Sequence, residues 1–177
     1  MEFRTPVHIA PFGFRIGHSH KGLLVGSCFA DRIGRIMRNH KLPVTVNPFG
    51  TLFNPASIAA TLKRLEERRS YDAGDLTRYE ERWISFDHHG AFDGSDCEQT
   101  LRRINEALET GAEALRTADY AILTLGTAWV YELRDTGRIV ANCHKLPAAM
   151  FRRRRMSASE IVETLGEAIT RFLPGRK

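Results

Sequence analysis

The sequence predicts an α/β fold: a three-layer α/β/α sandwich around a small, incomplete parallel sheet. Two observations predict it. Short, nearly all-apolar runs at 22–26, 43–46 and 120–125 read as strands, and the first is the kind that is covered on both faces. The segments after the strands carry apolar residues at helical spacing, and strands joined through helices run parallel with right-handed crossovers. The 177 residues, 42% hydrophobic and 27% charged, suffice for one domain with a core, taken as 1–177.

Residues 1–21 read as an irregular lead-in, interrupted by Pro6, Pro11, Gly13 and Gly17. After the first strand, a helix over about 29–40 is expected, with Phe29, Ile33, Ile36 and Met37 on its buried side. The second strand leads into a turn-rich loop at 47–53. Asn54-Pro55 then places a capping side chain before a proline at the first helical position. Ile58, Leu62 and Leu65 make that helix's buried stripe.

The middle, 70–97, is the least regular part and reads as an insertion beside the core. Residues 83–86 suggest a short strand, and His88-His89 a solvated turn that resembles a metal pair only superficially. Asp96 and Gln99 cap a helix lined by Leu101, Ile104, Leu108, Ala112 and Leu115. A hairpin follows the third strand, 129–133 and 138–141 about a turn at 135–137. The four arginines at 152–155 read as a solvated or substrate-facing loop. Ser157 and Glu160 open a last helix with Ile161, Leu165, Ile169 and Phe172 at buried positions. Three parallel strands leave one open edge, so a partner, self-association or further chain is expected to cover it.

Composition narrows the function. Net charge is +5, but its excess is local and no stacking aromatics accompany it, which argues against nucleic acid. No apolar run is long enough to cross a bilayer. Three widely spaced cysteines favour a reduced compartment over a disulfide framework, and the N-terminus lacks a secretory pattern. The expected location is cytoplasmic, with no cofactor and no metal.

The chemistry centres on Ser27, where the first strand ends and a helix begins. A hydroxyl there sits beside unpaired helix N–H groups and can attack an ester or amide; it can also simply cap the helix, or bind an anion. Cys28 is a rival nucleophile or an inert core cysteine. Gly50 can offer a second oxyanion donor or be an ordinary turn glycine. Gly126, Thr127 and Trp129 fall on the same rim as pocket candidates. Asn142 can donate to an oxyanion, and His144 can contact substrate, act as a base or serve structure.

Four blocks carry a resemblance: Gly26-Ser27-Cys28-Phe29-Ala30, residues 47–55, residues 125–130, and Asn142-Cys143-His144-Lys145. In order, they resemble the GSCFA-domain family, which is similar to the SGNH/GDSL hydrolases. The resemblance implies a flavodoxin-like sheet and an esterase, lipase or carbohydrate-deacetylase chemistry. It implies that Ser27 stands at the nucleophile, Gly50 at the glycine donor and Gly126 at the glycine of the third block. The pattern departs at Ala128, where the hydrolases carry asparagine, and Asn142 is the candidate substitute. It departs again in the catalytic histidine, since no Asp-x-x-His follows the third strand. The expectation is therefore the first half of a family member, truncated at its C-terminus. It would be weak or inactive by itself toward a small-molecule or carbohydrate ester, with a non-catalytic binding or interaction module as the alternative.

Overall fold

The structure is a computed structural model that describes residues 7 and 10–172. Strand β1 (Gly22–Gly26) is buried along its length. It lies between β2 (Val44–Val46) and β5 (Tyr120–Thr124) in a parallel sheet of order β2-β1-β5. Gly22 stands opposite both Val44 and Tyr120, and Gly26 opposite Thr124. Side chains alternate across a strand, so Leu24 enters one core while Leu23 and Val25 enter the other. All three are fully buried, each contributing about 1.5–3 kcal/mol relative to exposure.

Helix α1 (Cys28–Asn39) packs with Leu24 and Tyr120 through Ala30 and Met37. On the opposite face, α2 (Pro55–Glu67) and α3 (Cys97–Thr117) supply Ile58, Leu62, Leu65, Ile104, Leu108 and Leu115. Helix α4 (Ala158–Phe172) lies against α2 and adds Leu165 and Ala168. The expected caps form. Asn54 Oδ1 accepts from Ser57 N at 2.8 Å, and Asp96 Oδ1 from Gln99 N at 2.7 Å. Ser157 and Glu160 cap reciprocally, at 3.2 and 2.7 Å. Each such cap is worth about 1 kcal/mol. Among the described residues no helix is long and apolar enough to cross a membrane.

Two small antiparallel sheets complete the fold. One is the hairpin of β3 (Thr77–Tyr79) and β4 (Arg82–Ile84); the other has order β7-β6-β8, from β6 (Trp129–Leu133), β7 (Ile139–Val140) and β8 (Phe151–Arg155). Ile84, Phe86, Leu133, Val140, Leu146 and Phe151 form a core between them.

Several expectations need correction. The arginine run is a strand, not a loop: β8 pairs with β6 over its whole length, and Glu132 accepts from Arg152 and Arg154 and offsets their charge. Strand β3 has no alternating pattern of its own and exists through pairing with β4. On α1, Phe29 and Ile36 are 59% and 52% exposed. The helix instead turns Ala30, Gly34 and Met37 inward, and Gly34 lets it approach Val46 more closely than any Cβ would allow. Asp31 fixes that rotation by accepting from Asn47 Nδ2 and Thr51 Oγ1, both at 2.7 Å. On α4, Ile169 is 48% exposed; Phe172's side chain and residues 1–6 lie outside the described part.

Candidate functional site

Ser27 is the N-cap of α1, immediately after β1, and is 7% exposed. Its N–H bonds the Thr124 carbonyl at 2.9 Å and Thr124 Oγ1 at 2.8 Å. Its hydroxyl lies 3.0 Å from Thr124 Oγ1 and accepts from Phe29 N at 3.3 Å. Ala30 N bonds the Ser27 carbonyl, so these cap contacts engage the second and third helical amides and leave the Cys28 N–H. Gly26 makes the junction possible. Its φ is +140°, and a Cβ would collide with the Thr124 carbonyl.

A polar network holds the rim below Ser27. Buried Asn47, at φ +45°, accepts from Gly26 N at 2.8 Å and donates to Asp31, which also accepts from Thr51. This ties the ends of β1 and β2 to the first turn of α1. Gly50 closes the same loop at φ +81°, but its N–H is spent on the Asn47 carbonyl at 2.8 Å. In this arrangement it is a turn glycine. Gly126 N and Thr127 N both donate to the Phe53 carbonyl, joining the loops after β5 and β2.

Beside this rim opens a cavity of about 740 Å³. Thr51, Phe53, Asn54 and Thr127 come from the rim loops, and Trp129, Tyr131, Phe151 and Arg153 from the β6–β8 sheet. His89, Val140, Asn142, Cys143 and Leu146 are also in the wall. Ser27, Cys28, Gly50, Gly126 and His144 are not among its lining residues. Asn142 Oδ1 accepts from His144 N at 2.9 Å. Arg153 stacks over Trp129 with its guanidinium carbon 4.1 Å from the ring centroid. His89 is exposed, and its Nδ1 accepts from Ala91 N at 3.2 Å. That bond ties Nδ1 to the backbone of its own turn.

The other predicted groups fall elsewhere. The His144 side chain is fully buried. Its Nε2 donates to the Ser85 carbonyl at 2.8 Å, since a carbonyl only accepts. Its Nδ1 lies 2.9 Å from Asp93 Oδ1, without in-line hydrogen-bond geometry. His144 thus anchors the 142–145 loop to the 77–94 insertion. Cys28 is exposed, not a core cysteine, because it is the first residue of α1 and the inward stripe begins at Ala30. His88 is no solvated turn residue. It is fully buried among Phe49, Tyr71 and Phe92, with Nδ1 2.8 Å from Ser85 Oγ. Burial holds its pKa down at about 3. Among the described residues, no group of three or more His, Cys, Asp or Glu is placed to hold a metal ion.

A family model described as GSCFA family matches residues 21–174, most of the chain. The chain belongs to the GSCFA family. No curated protein and no solved structure matches it. In this GSCFA protein the signature 26–30 is the β1–α1 junction, and the blocks at 47–55 and 125–130 bond to it and to each other. The fourth block lines the cavity through Asn142 and Cys143.

Several residues of the site had no place in the sequence reading. Thr124 and Asp31 carry no motif, and their roles need β5 and the 47–51 loop to be docked. Asn47 lies in the second block, and asparagine in a turn-rich loop, a residue type that tolerates positive φ, is the signal that could have singled it out. Arg153 becomes legible only once 151–155 is read as an alternating strand.

Proposed function

We propose that this chain is the scaffold of an SGNH-type serine ester hydrolase, with Ser27 as the nucleophile toward an acyl or acetyl ester of a small molecule or carbohydrate. The observation that carries this reading is the position of Ser27 at the carboxyl end of the central parallel strand, capping α1. Ligands of open α/β sheets bind at that end, and β2-β1-β5 is a parallel sheet of this kind. On this reading Ser27 Oγ adds to the ester carbonyl carbon and gives its proton to water. The ester C–O bond breaks, the leaving alcohol takes a proton from water, and a second water then hydrolyses the acyl-serine to the free acid. The developing oxyanion meets the Cys28 N–H and the α1 N-terminus, with the Asn142 amide as a further candidate donor.

The neighbour of the Ser27 hydroxyl is Thr124 Oγ1, which is no base at neutral pH. Acylation is therefore slow and turnover slower. The test is a fluorophosphonate probe with mass mapping, alongside hydrolysis of an aryl acetate. The expected result is stoichiometric labelling of Ser27 with slow turnover, both lost in Ser27→Ala and both kept in Cys28→Ser. Failure of the intact protein to label ends the proposal.

A second reading, a non-catalytic binding module on the same core, is favoured by one observation. Ser27 is engaged with Thr124 and Phe29 and is not part of the cavity wall. It forecasts ligand binding without labelling.

A further inference from the structure

The cavity wall has a chemical bias that the ester-hydrolase reading does not use. Its lining includes one arginine and one histidine, and no aspartate or glutamate. The arginine is a product of strand alternation. In β8, Arg152 and Arg154 project to one side and share Glu132, while Phe151 and Arg153 project to the other and line the cavity. Among the described residues no carboxylate pairs with Arg153. Its guanidinium carbon instead lies over Trp129, 4.1 Å from the ring centroid, and 6.0 Å from that of Tyr131. A guanidinium over an aromatic face keeps its N–H donors for an anion. Phe53, Val140, Leu146 and Phe151 add apolar lining to the same cavity.

We propose that this cavity binds a small amphipathic anion, its carboxylate or phosphate taken by Arg153 and its apolar body by Phe53, Leu146 and Phe151. The volume of about 740 Å³ is that of a small-molecule site. The missing carboxylates leave Arg153 without a competing partner in the cavity lining. The site does not require Ser27 to be a nucleophile.

Isothermal titration of the intact protein with sodium octanoate, octyl phosphate, 1-octanol and octyltrimethylammonium tests this. Octanoate and octyl phosphate bind at least about tenfold more tightly than octanol, and the cation does not bind. Arg153→Gln reduces octanoate affinity about tenfold or more and leaves octanol unchanged. Arg35→Gln, the same charge change on the exposed side of α1, leaves both unchanged. Either order between octanoate and octyl phosphate supports the site and names its anion. Equal binding of octanoate and octanol, or an Arg153→Gln variant that binds octanoate as well as the parent, overturns it. So does absence of binding by both anions. Octanoate binding retained in Ser27→Ala, whatever the phosphonate labelling shows, separates this site from the hydrolase reading.

Discussion

His88 and His89 are neighbours with opposite fates. His89 borders the cavity, whereas His88 is enclosed by three aromatic rings and keeps a single ring-nitrogen contact, to Ser85. Enclosure disfavours the imidazolium more than the nearby Asp87 favours it, so the pKa falls from 6.5 to about 3. Between those values the unfolded chain holds the proton and the folded chain does not. Stability is therefore complete above pH 6.5 and declines as pH falls toward 3, by a few kcal/mol in all. Melting temperature followed over that window should fall in the parent protein. In His88→Phe, which keeps an aromatic ring in the cluster, that component of the slope should vanish. Should the variant not fold, the His88 Cε1 proton of the parent, followed by NMR, should show no titration from pH 8 to 4.

At the scale of elements, β8 is the informative case. Four consecutive arginines make a poor strand by composition, yet an antiparallel partner supplies what they need. Glu132, the last residue but one of β6, is buried and accepts from Arg154 and Arg152; Arg154 also reaches Glu160 at the start of α4. Those donors, Arg154 first, hold the Glu132 carboxyl below its ordinary range. The contribution of this clamp is complete above the ordinary value of 4.5 and is lost as pH falls through the lowered one. Glu132→Gln should lower the melting temperature by several degrees at pH 7, where two arginines lose their shared counter-charge. The parent and variant curves should converge as the solution is acidified below pH 4.5. Parallel curves across that range would mean that the clamp does not hold β8.

The whole molecule is organised around one fully buried strand. β1 is paired on both sides, while β5 pairs only with β1 among the described residues and carries the half-buried Ala121, Ile122 and Leu123, followed by exposed Leu125. Exchange through local opening follows such differences. Amides of β1 should be the slowest to exchange, and the outward-facing amides of β5 faster by about a hundredfold or more. Hydrogen exchange with fragment or NMR resolution checks this. Protection of β5 that rises with protein concentration would show a second copy covering that edge, the self-association anticipated from the sequence. The same topology gathers three of the four GSCFA blocks at one rim, because parallel strands end on the same side.

What the sequence by itself determined is local. The apolar runs of β1 and β5, the stripes of α2 and α3, and the caps at Asn54, Asp96 and Ser157 were legible because each depends on residues within a few positions of one another. The same holds for the β1–Ser27–α1 junction. Tertiary structure alone decided which charged and polar groups find partners across long separations. It turned α1 through Asp31, buried His88, engaged the Gly50 amide and enclosed the His144 ring against Ser85 and Asp93. It also converted the arginine run into a strand that turns Arg153 toward the cavity. The physical reason is range. Backbone propensity and capping act within one turn or one strand, whereas the environment of a polar side chain is set by whatever the folded chain brings against it.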